Sequence, residues 1–426
     1  MEPATSSPPV PEVPEKWARR FFPMWGGQAI SLFGSSLVQF ALVWWMTETT
    51  RSATVLATAT LVAMLPQIFL GPFIGTLVDR WNRKAVMIVA DTLIALATLV
   101  LVFLFAAGWE SIWAIYAILL VRSAGGAFHR PAMTSSTSLM VPHAHLARIA
   151  GLNQTLQGLI SIVSPPLGAL LIGLLPTQGV LAIDVGTAVI AVSILAFVAV
   201  PQPPRQLAQA NGTAEKTSYW QDLRAGWAYI AAWPGLMGIA LLAMVINFLL
   251  TPSGSLLPLM VTEEYHGGVL QLGLVNSIFG IGIIVGGLVL SAWGGFKKRI
   301  WTSMMGIIGI GAGILIFGLF PAHLFYVALG GVFLFGGMQV MANGPLHAIF
   351  QATIDPDMQG RVLSLIGAGA TAMSPLSLLV AGPVSDWLGV RTWYMIGGSA
   401  CVIMAVTALF IPVIMNIEEN RQRHLT

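Results

Sequence analysis

Twelve apolar runs follow one another along this chain, near residues 22–47, 53–78, 85–107, 111–131, 150–175, 179–200, 235–260, 269–294, 301–320, 323–350, 361–387 and 391–415. Each is close to the roughly 20 residues that an α-helix needs to cross a bilayer. Hydrocarbon holds no water to satisfy a free N–H or C=O, so runs of this length fold as helices. Composition closes off the soluble alternative: charged residues are 9% of the 426 positions and apolar ones 56%, too little polar surface to coat a soluble body of this size. The chain is predicted to be an all-α membrane protein with twelve transmembrane helices. Its one cysteine, Cys401, lies in an apolar run and excludes an internal disulfide. Basic residues are spread over short loops rather than gathered in a patch, so no nucleic-acid partner is expected.

Twelve spans put both chain ends on one side, and the basic residues say which. With a cytoplasmic N-terminus, only Arg51 and Arg391 of the 20 Lys and Arg residues fall on the opposite side, and Arg122 lies within a span. The expected location is the cell (inner) membrane, with both ends cytoplasmic. Residues 1–15 hold five prolines and no apolar period, which predicts a disordered tail. Residues 16–200 and 235–415 then make two six-helix bundles. The linker 201–234 opens with PQPP and closes with an aromatic stretch from Trp220 to Trp233, which predicts a helix lying on the cytoplasmic membrane surface. Residues 416–426 form a second tail.

The halves read as a duplication, and hence as pseudo-symmetric bundles. Arg83-Lys84 matches Lys298-Arg299 at a shift of 215, and Pro131 and Pro142 match Pro345 and Pro356 at 214. Arg148 matches Arg361 at 213, and Ser164-Pro165 matches Ser374-Pro375 at 210. Two charges have no counterpart: Asp79 becomes Gly294 and Arg122 becomes Gly336. Whatever those charges do is confined to the N-terminal half.

Polar stripes run along several spans. In the first, Gln28, Ser31, Ser35 and Gln39 fall within roughly 80° of one helix face. Gln154 and Gln157 lead a similar stripe in the fifth span, Gln339 and Asn343 lie four apart in the tenth, Asn247 lies in the seventh and Asn276 in the eighth. Such stripes face protein or water rather than lipid. Lining a substrate cavity and bonding helix to helix both meet that need. Charges cost most to bury. Arg122 lies mid-span in the fourth helix, Asp91 in the third and Asp184 toward the outer end of the sixth. Arg122 and Asp91 are expected to differ in depth by only about 4–5 Å. Arg122 with Asp91 or Asp184 is therefore expected to be either a proton-coupled switch or a permanent structural pair. Asp386 is expected at the outer rim. Pro165, Pro166 and Pro375 each remove a helix hydrogen bond and are expected to kink the fifth and eleventh spans.

The hinge between the second and third runs is the string GTLVDRWNRK, from Gly75 to Lys84. It resembles the signature loop of the major facilitator superfamily of secondary transporters. The segments LLVRSAGGAFHRPA, VPHAHLARIAGLNQT, INFLLTPSGSLLPL, GGLVLSAWGGFKKR and DPDMQGRV together resemble the branch that includes macrolide efflux proteins and the enterobactin exporter. Residues 158–173 are similar to the fifth-helix motif of drug antiporters, but carry Ser164 and Pro165-Pro166 where a Gly-Pro pair is usual. The resemblance implies two parallel six-helix repeats with a substrate site between them at the midplane. It implies a gate in which Gly75, Asp79, Arg80, Arg83 and Lys84 work with Arg361, Asp79 meeting the start of the eleventh helix near Arg361. Arg80, Arg83 and Lys84 would then anchor to neighbouring loops or anionic headgroups. It also implies export rather than import.

The chain has no HExxH, GxSxG, phosphate-binding loop or CxxC, and its seven histidines form no metal set. No enzyme activity, cofactor or metal is expected. The resulting expectation is a monomeric exporter of a large, mostly apolar, macrolide-like compound, exchanged for protons across the lipid bilayer. A siderophore exporter, a lipid or lysophospholipid translocator, and a non-transporting sensor or partner of another pump are the alternatives.

Overall fold

The computed structural model describes residues 17–202 and 219–419. The 1–15 tail, residues 203–218 of the linker and the last residues of the 416–426 tail lie outside the described residues. So do Gly75 and the side chains of Asp79 and Arg80.

Among the described residues, twelve helices are long and apolar enough to cross a membrane, as the hydropathy predicts. The first six are α1 (Ala18–Thr50), α2 (Ala53–Arg80), α3 (Arg83–Ala106), α4 (Ile112–Met140), α5 (His143–Leu174) and α6 (Thr177–Phe197). A shorter helix, α7 (Tyr219–Ala232), packs on the second set. That set is α8 (Pro234–Ser255), α9 (Val269–Trp293), α10 (Arg299–Leu319), α11 (Phe325–Thr353), α12 (Pro356–Leu388) and α13 (Val390–Leu409). Several spans outrun their apolar runs, and side-chain caps fix the starts of two of the twelve. The Ser52 hydroxyl accepts from Val55 N–H at 3.3 Å and the Asn82 amide oxygen from Ala85 N–H at 3.1 Å.

Helix partners repeat between the halves. The third helix of each set packs on the fourth and sixth, the second on the fourth, and the first on the fifth and sixth. The loop after the second helix differs. α2 ends in extended Trp81 and the Asn82 cap, whereas α9 ends on Gly294 at φ +79°, followed by Gly295 at φ +81°. The glycine that replaces Asp79 in the repeat is therefore a left-handed C-cap that only glycine adopts without strain.

The two halves meet at the end opposite the basic pairs Arg83-Lys84 and Lys298-Arg299. There α5 crosses α9 and α2 crosses α12. A Cβ on Gly273 of α9 would lie 3.1 Å from Pro166 Cα and 3.2 Å from Pro165 O, so the helices cross here at a distance that favours glycine. α5 and α12 run unbroken through Pro165, Pro166 and Pro375. Pro166 leaves the carbonyl of Ile162 without its helical donor, and the Ser277 hydroxyl of α9 shares its one hydrogen between that carbonyl, at 3.3 Å across the interface, and Gly273 O of its own helix, at 3.0 Å. The same device recurs within the second half. Pro252 frees the carbonyl of Phe248, which accepts from the Ser377 hydroxyl, and Trp393 donates to Leu249 O at 3.1 Å.

Asp386 does more than sit at a rim. Its carboxylate accepts from Ala53 N–H at 2.5 Å, Thr54 N–H at 3.0 Å and the Ser52 hydroxyl at 3.0 Å, capping the N-terminus of α2 from the other half. Arg51 and Glu263 add a looser ion pair at 3.7 Å. Nearby, Tyr265 donates to Phe317 O and remains a neutral donor, because burial pushes its phenol up to about 12 while the charge of Arg391 opposes that rise.

Ser377→Ala leaves the Phe248 carbonyl without a donor in an apolar setting. The expected cost is roughly 1–2 kcal/mol. A lower thermal midpoint in detergent than Ser364→Ala, whose serine is exposed, would show it.

Candidate functional site

The buried charges of the first half are arranged in two layers, set by a spacing that three helices share. Gln28 and Ser35 on α1, Asp91 and Thr98 on α3, and Arg122 and His129 on α4 are each seven residues apart. Seven residues are close to two helical turns, so each pair lies on one face with a rise of about 10 Å. α4 runs antiparallel to α3, which puts Asp91 opposite His129 and Thr98 opposite Arg122. Gly125 brings the two helices close: a Cβ there would lie 2.8 Å from Ile94 and 3.3 Å from Ala90 O.

The layer farther from the basic end is built on Asp184 of α6, which is fully buried. Arg122 reaches its carboxylate at 2.6 Å, and the hydroxyls of Thr98 and Ser35 donate to it at 3.0 and 2.9 Å. Arg122 also donates to Thr98 Oγ1, closing a triangle. The nearer layer is built on Asp91, which is 5% exposed. Gln28 donates to it at 2.9 Å, and His129 Nε2 stands 3.4 Å away. That approach is within ion-pair range but lacks hydrogen-bond geometry, so His129 Nε2 has no hydrogen-bond partner.

Of the two acids offered to Arg122, the structure places Asp184 against it and Asp91 a layer below. Depth along single helices made both feasible; the α3–α4 register opposes Arg122 to Thr98 and leaves only Asp184 within reach. His129 was missed. Its signal was the spacing shared by 91/98 and 122/129, visible only when two helices are read together.

A cavity of about 740 Å³ runs beside both layers among α1, α2, α3 and α4. It brings together Gln28, Ser31, Ser35 and Gln39 with Asp91, Arg122, His129 and Arg130. Gly71, Arg130 and Thr134, toward the basic end, are exposed. The stripes of the other spans do not join it. Gln154 and Gln157 of α5 and Asn247 and Asn343 are exposed, whereas Gln339 and Asn276 are half-buried. Asn247, Asn276 and Asn343 each donate to a carbonyl four residues earlier in their own helix, at 2.9 Å, rather than bonding to another helix.

Below the cavity, the described part of the hinge is tied to helix ends. Arg83 donates to Ser135 O at 2.7 Å, and its backbone N–H donates to Gln202 at 3.1 Å. Lys84 donates to Ala196 O at 2.7 Å, at the C-terminal end of α6, where a cation meets the negative end of the helix dipole. Arg361 sits where α7 packs on α12, since a Cβ on Gly226 would lie 3.4 Å from Arg361 Cβ.

Two six-helix sets with repeated packing, ionisable groups buried, among the described residues, in the first of them, and a short polar hinge between α2 and α3 are the architecture of a membrane transporter. The chain belongs to the major facilitator superfamily, whose family model matches residues 24–377. Macrolide efflux protein A of Streptococcus pyogenes is similar over nearly the whole of both chains, 32% identical over 402 residues, 94% of this chain and 98% of that protein. The multidrug efflux pump Tap of Mycolicibacterium fortuitum is 24% identical over 400 residues, covering 90% and 94%. Among solved structures, the nucleoside transporter NupG superposes with a TM-score of 0.71 at 13% identity, over 92% of this chain and 99% of that one, a likeness of fold alone.

Replacing Asp184 by Asn would leave Arg122 a buried cation without its counter-ion, a loss of about 3–5 kcal/mol. The expected outcome is a sharply lower yield of monodisperse protein in detergent. The double variant Arg122→Leu with Asp184→Leu should regain much of that yield.

Proposed function

We propose that this chain exports a large, mostly apolar, macrolide-like compound by alternating access, in exchange for protons, from a cell membrane in which both chain ends are cytoplasmic. The observation that carries the reading is the cavity. It is lined by amides, hydroxyls and apolar groups together with the buried Asp91 and His129, Arg122 and the exposed Arg130. Phosphorylated or multiply anionic substrates would call for several free cations there, whereas Arg122 is already neutralised by Asp184. Likeness to a macrolide efflux protein over almost its full length supports the substrate class. The basic residues at one end support the orientation.

In this reading residues 16–200 and 235–415 are two bodies that rock about the contacts at the end opposite the basic pairs. When that end opens, the basic end closes, and Asp79 meets α12 near Arg361. Gly75 permits the close helix approach this requires, while Arg83 and Lys84 keep the hinge fixed to α4 and α6. The stripes at Gln154, Gln157, Asn247, Asn276, Gln339 and Asn343 complete the path for substrate in states where the halves come together. The monomer suffices for this cycle.

Cells expressing the chain should accumulate less labelled macrolide than vector-only cells, and a protonophore should abolish the difference. Asp79→Asn should raise accumulation toward the vector level while leaving membrane expression unchanged. Accumulation equal to vector-only cells in every arm would remove macrolides as the substrate class.

A further inference from the structure

The two buried layers differ in completeness. In the upper one, both oxygens of Asp184 are engaged and Arg122 supplies a matching charge. In the lower one, His129 Nε2 and Gln28 Oε1 are buried and lack hydrogen-bond partners, although both flank the same carboxylate. Charge accounting separates the layers further. Arg122 with Asp184 is neutral as it stands, and Arg122 cannot give up its proton. A proton added to Asp184 would therefore strand a cation. Asp91 with a neutral His129 carries one negative charge, and one added proton makes that layer neutral.

We propose that the His129–Asp91 pair, assisted by Gln28, is the proton-carrying site of this transporter, and that Arg122–Asp184 is a fixed structural pair. This assignment rests on the proton-exchange reading above. The proton belongs to the pair rather than to either residue: it sits on His129 Nε2 and faces Asp91 Oδ1, or sits on Asp91 and faces Nε2. Either placement puts one proton between two groups that already stand 3.4 Å apart, so a small approach closes the bond. The Gln28 amide suits both forms, since Nε2 donates to the carboxylate and, turned over, Oε1 accepts from the acid. A buried layer is cheaper to enclose when neutral. Enclosure therefore favours the loaded pair, and opening toward the other side releases the proton.

The charged groups around the pair fit this role. On α4, Arg122 above and Arg130 below line the same cavity; on α6, Asp184 is held by Arg122. The lining residues of α1 and α2 include no titratable group. On α3, Arg83 and Lys84 lie lower and bond to helix carbonyls. His129 therefore faces one carboxylate, Asp91, with Arg122 and Arg130 as the other charged groups of the wall.

Two measurements on purified protein test this. The first needs no substrate: infrared difference spectra between about pH 5 and pH 8, the range in which a histidine titrates. Wild type should show a protonation band that both His129→Gln and Asp91→Asn lose. A band that survives in both variants, or no such band in wild type, overturns the assignment. The second uses proteoliposomes and radiolabelled erythromycin. The same variants should lose accumulation driven by a pH gradient while keeping gradient-free erythromycin exchange. Retained gradient-driven accumulation in either variant overturns the coupling role. If wild type moves no erythromycin at all, the substrate reading fails and the infrared result still decides the proton site.

Discussion

A guanidinium in the middle of a membrane helix must find a counter-charge, and the first half of this protein is organised around meeting that demand. Arg122 cannot give up its proton, and from the middle of α4 its side chain is only 10% exposed. Asp184 on α6 and Thr98 on α3 meet it, and Thr98 and Ser35 on α1 donate to the same Asp184 carboxylate. Those contacts fix the mutual register of four helices at one depth. Once that depth is set, the shared seven-residue spacing brings Gln28, Asp91 and His129 together two turns away. The second layer is a geometric consequence of the first.

The backbone imposes a parallel demand. Pro166 and Pro252 each free a carbonyl inside a span, and each carbonyl finds a serine hydroxyl on a neighbouring helix. In one case the neighbour belongs to the other half, so a proline in α5 helps hold the halves together through α9. Asp386 does similar work at the same end by capping α2 across the interface. The hydrogen bonds across that interface, set among apolar contacts such as Ile162 on Gly280, are reversible. Water can replace them when that end opens, as a rocking transporter requires.

Much of this was legible in the residues. Apolar runs counted the spans, because bilayer thickness leaves one solution for such runs. The repeat shifts anticipated the matching helix partners. The cost of burying charge pointed to Arg122, Asp91 and Asp184 before any contact was known. The choice between the two acids was not legible, because it depends on how α3 meets α4. That meeting is set by Gly125 against Ile94, a tertiary contact that no single-helix period encodes. His129 was overlooked for the same reason. Asp386 looked like a rim residue because its partner is the start of a helix more than three hundred positions away. The amide stripes of the second half were recognised as polar, but Asn247, Asn276 and Asn343 spend their N–H groups on their own helices.

The seven-residue registers of α1, α3 and α4 bear on how this sequence can drift. One residue inserted between Asp91 and Thr98, or between Arg122 and His129, would swing one member of the pair by about 100° around its helix. It would separate two partnerships together and leave charges facing lipid. The turn between α3 and α4, residues 107–111, carries none of those contacts and is free to lengthen. Length variation in descendants of this chain should therefore be absent inside these helices and tolerated between them, whichever compound a descendant has come to carry.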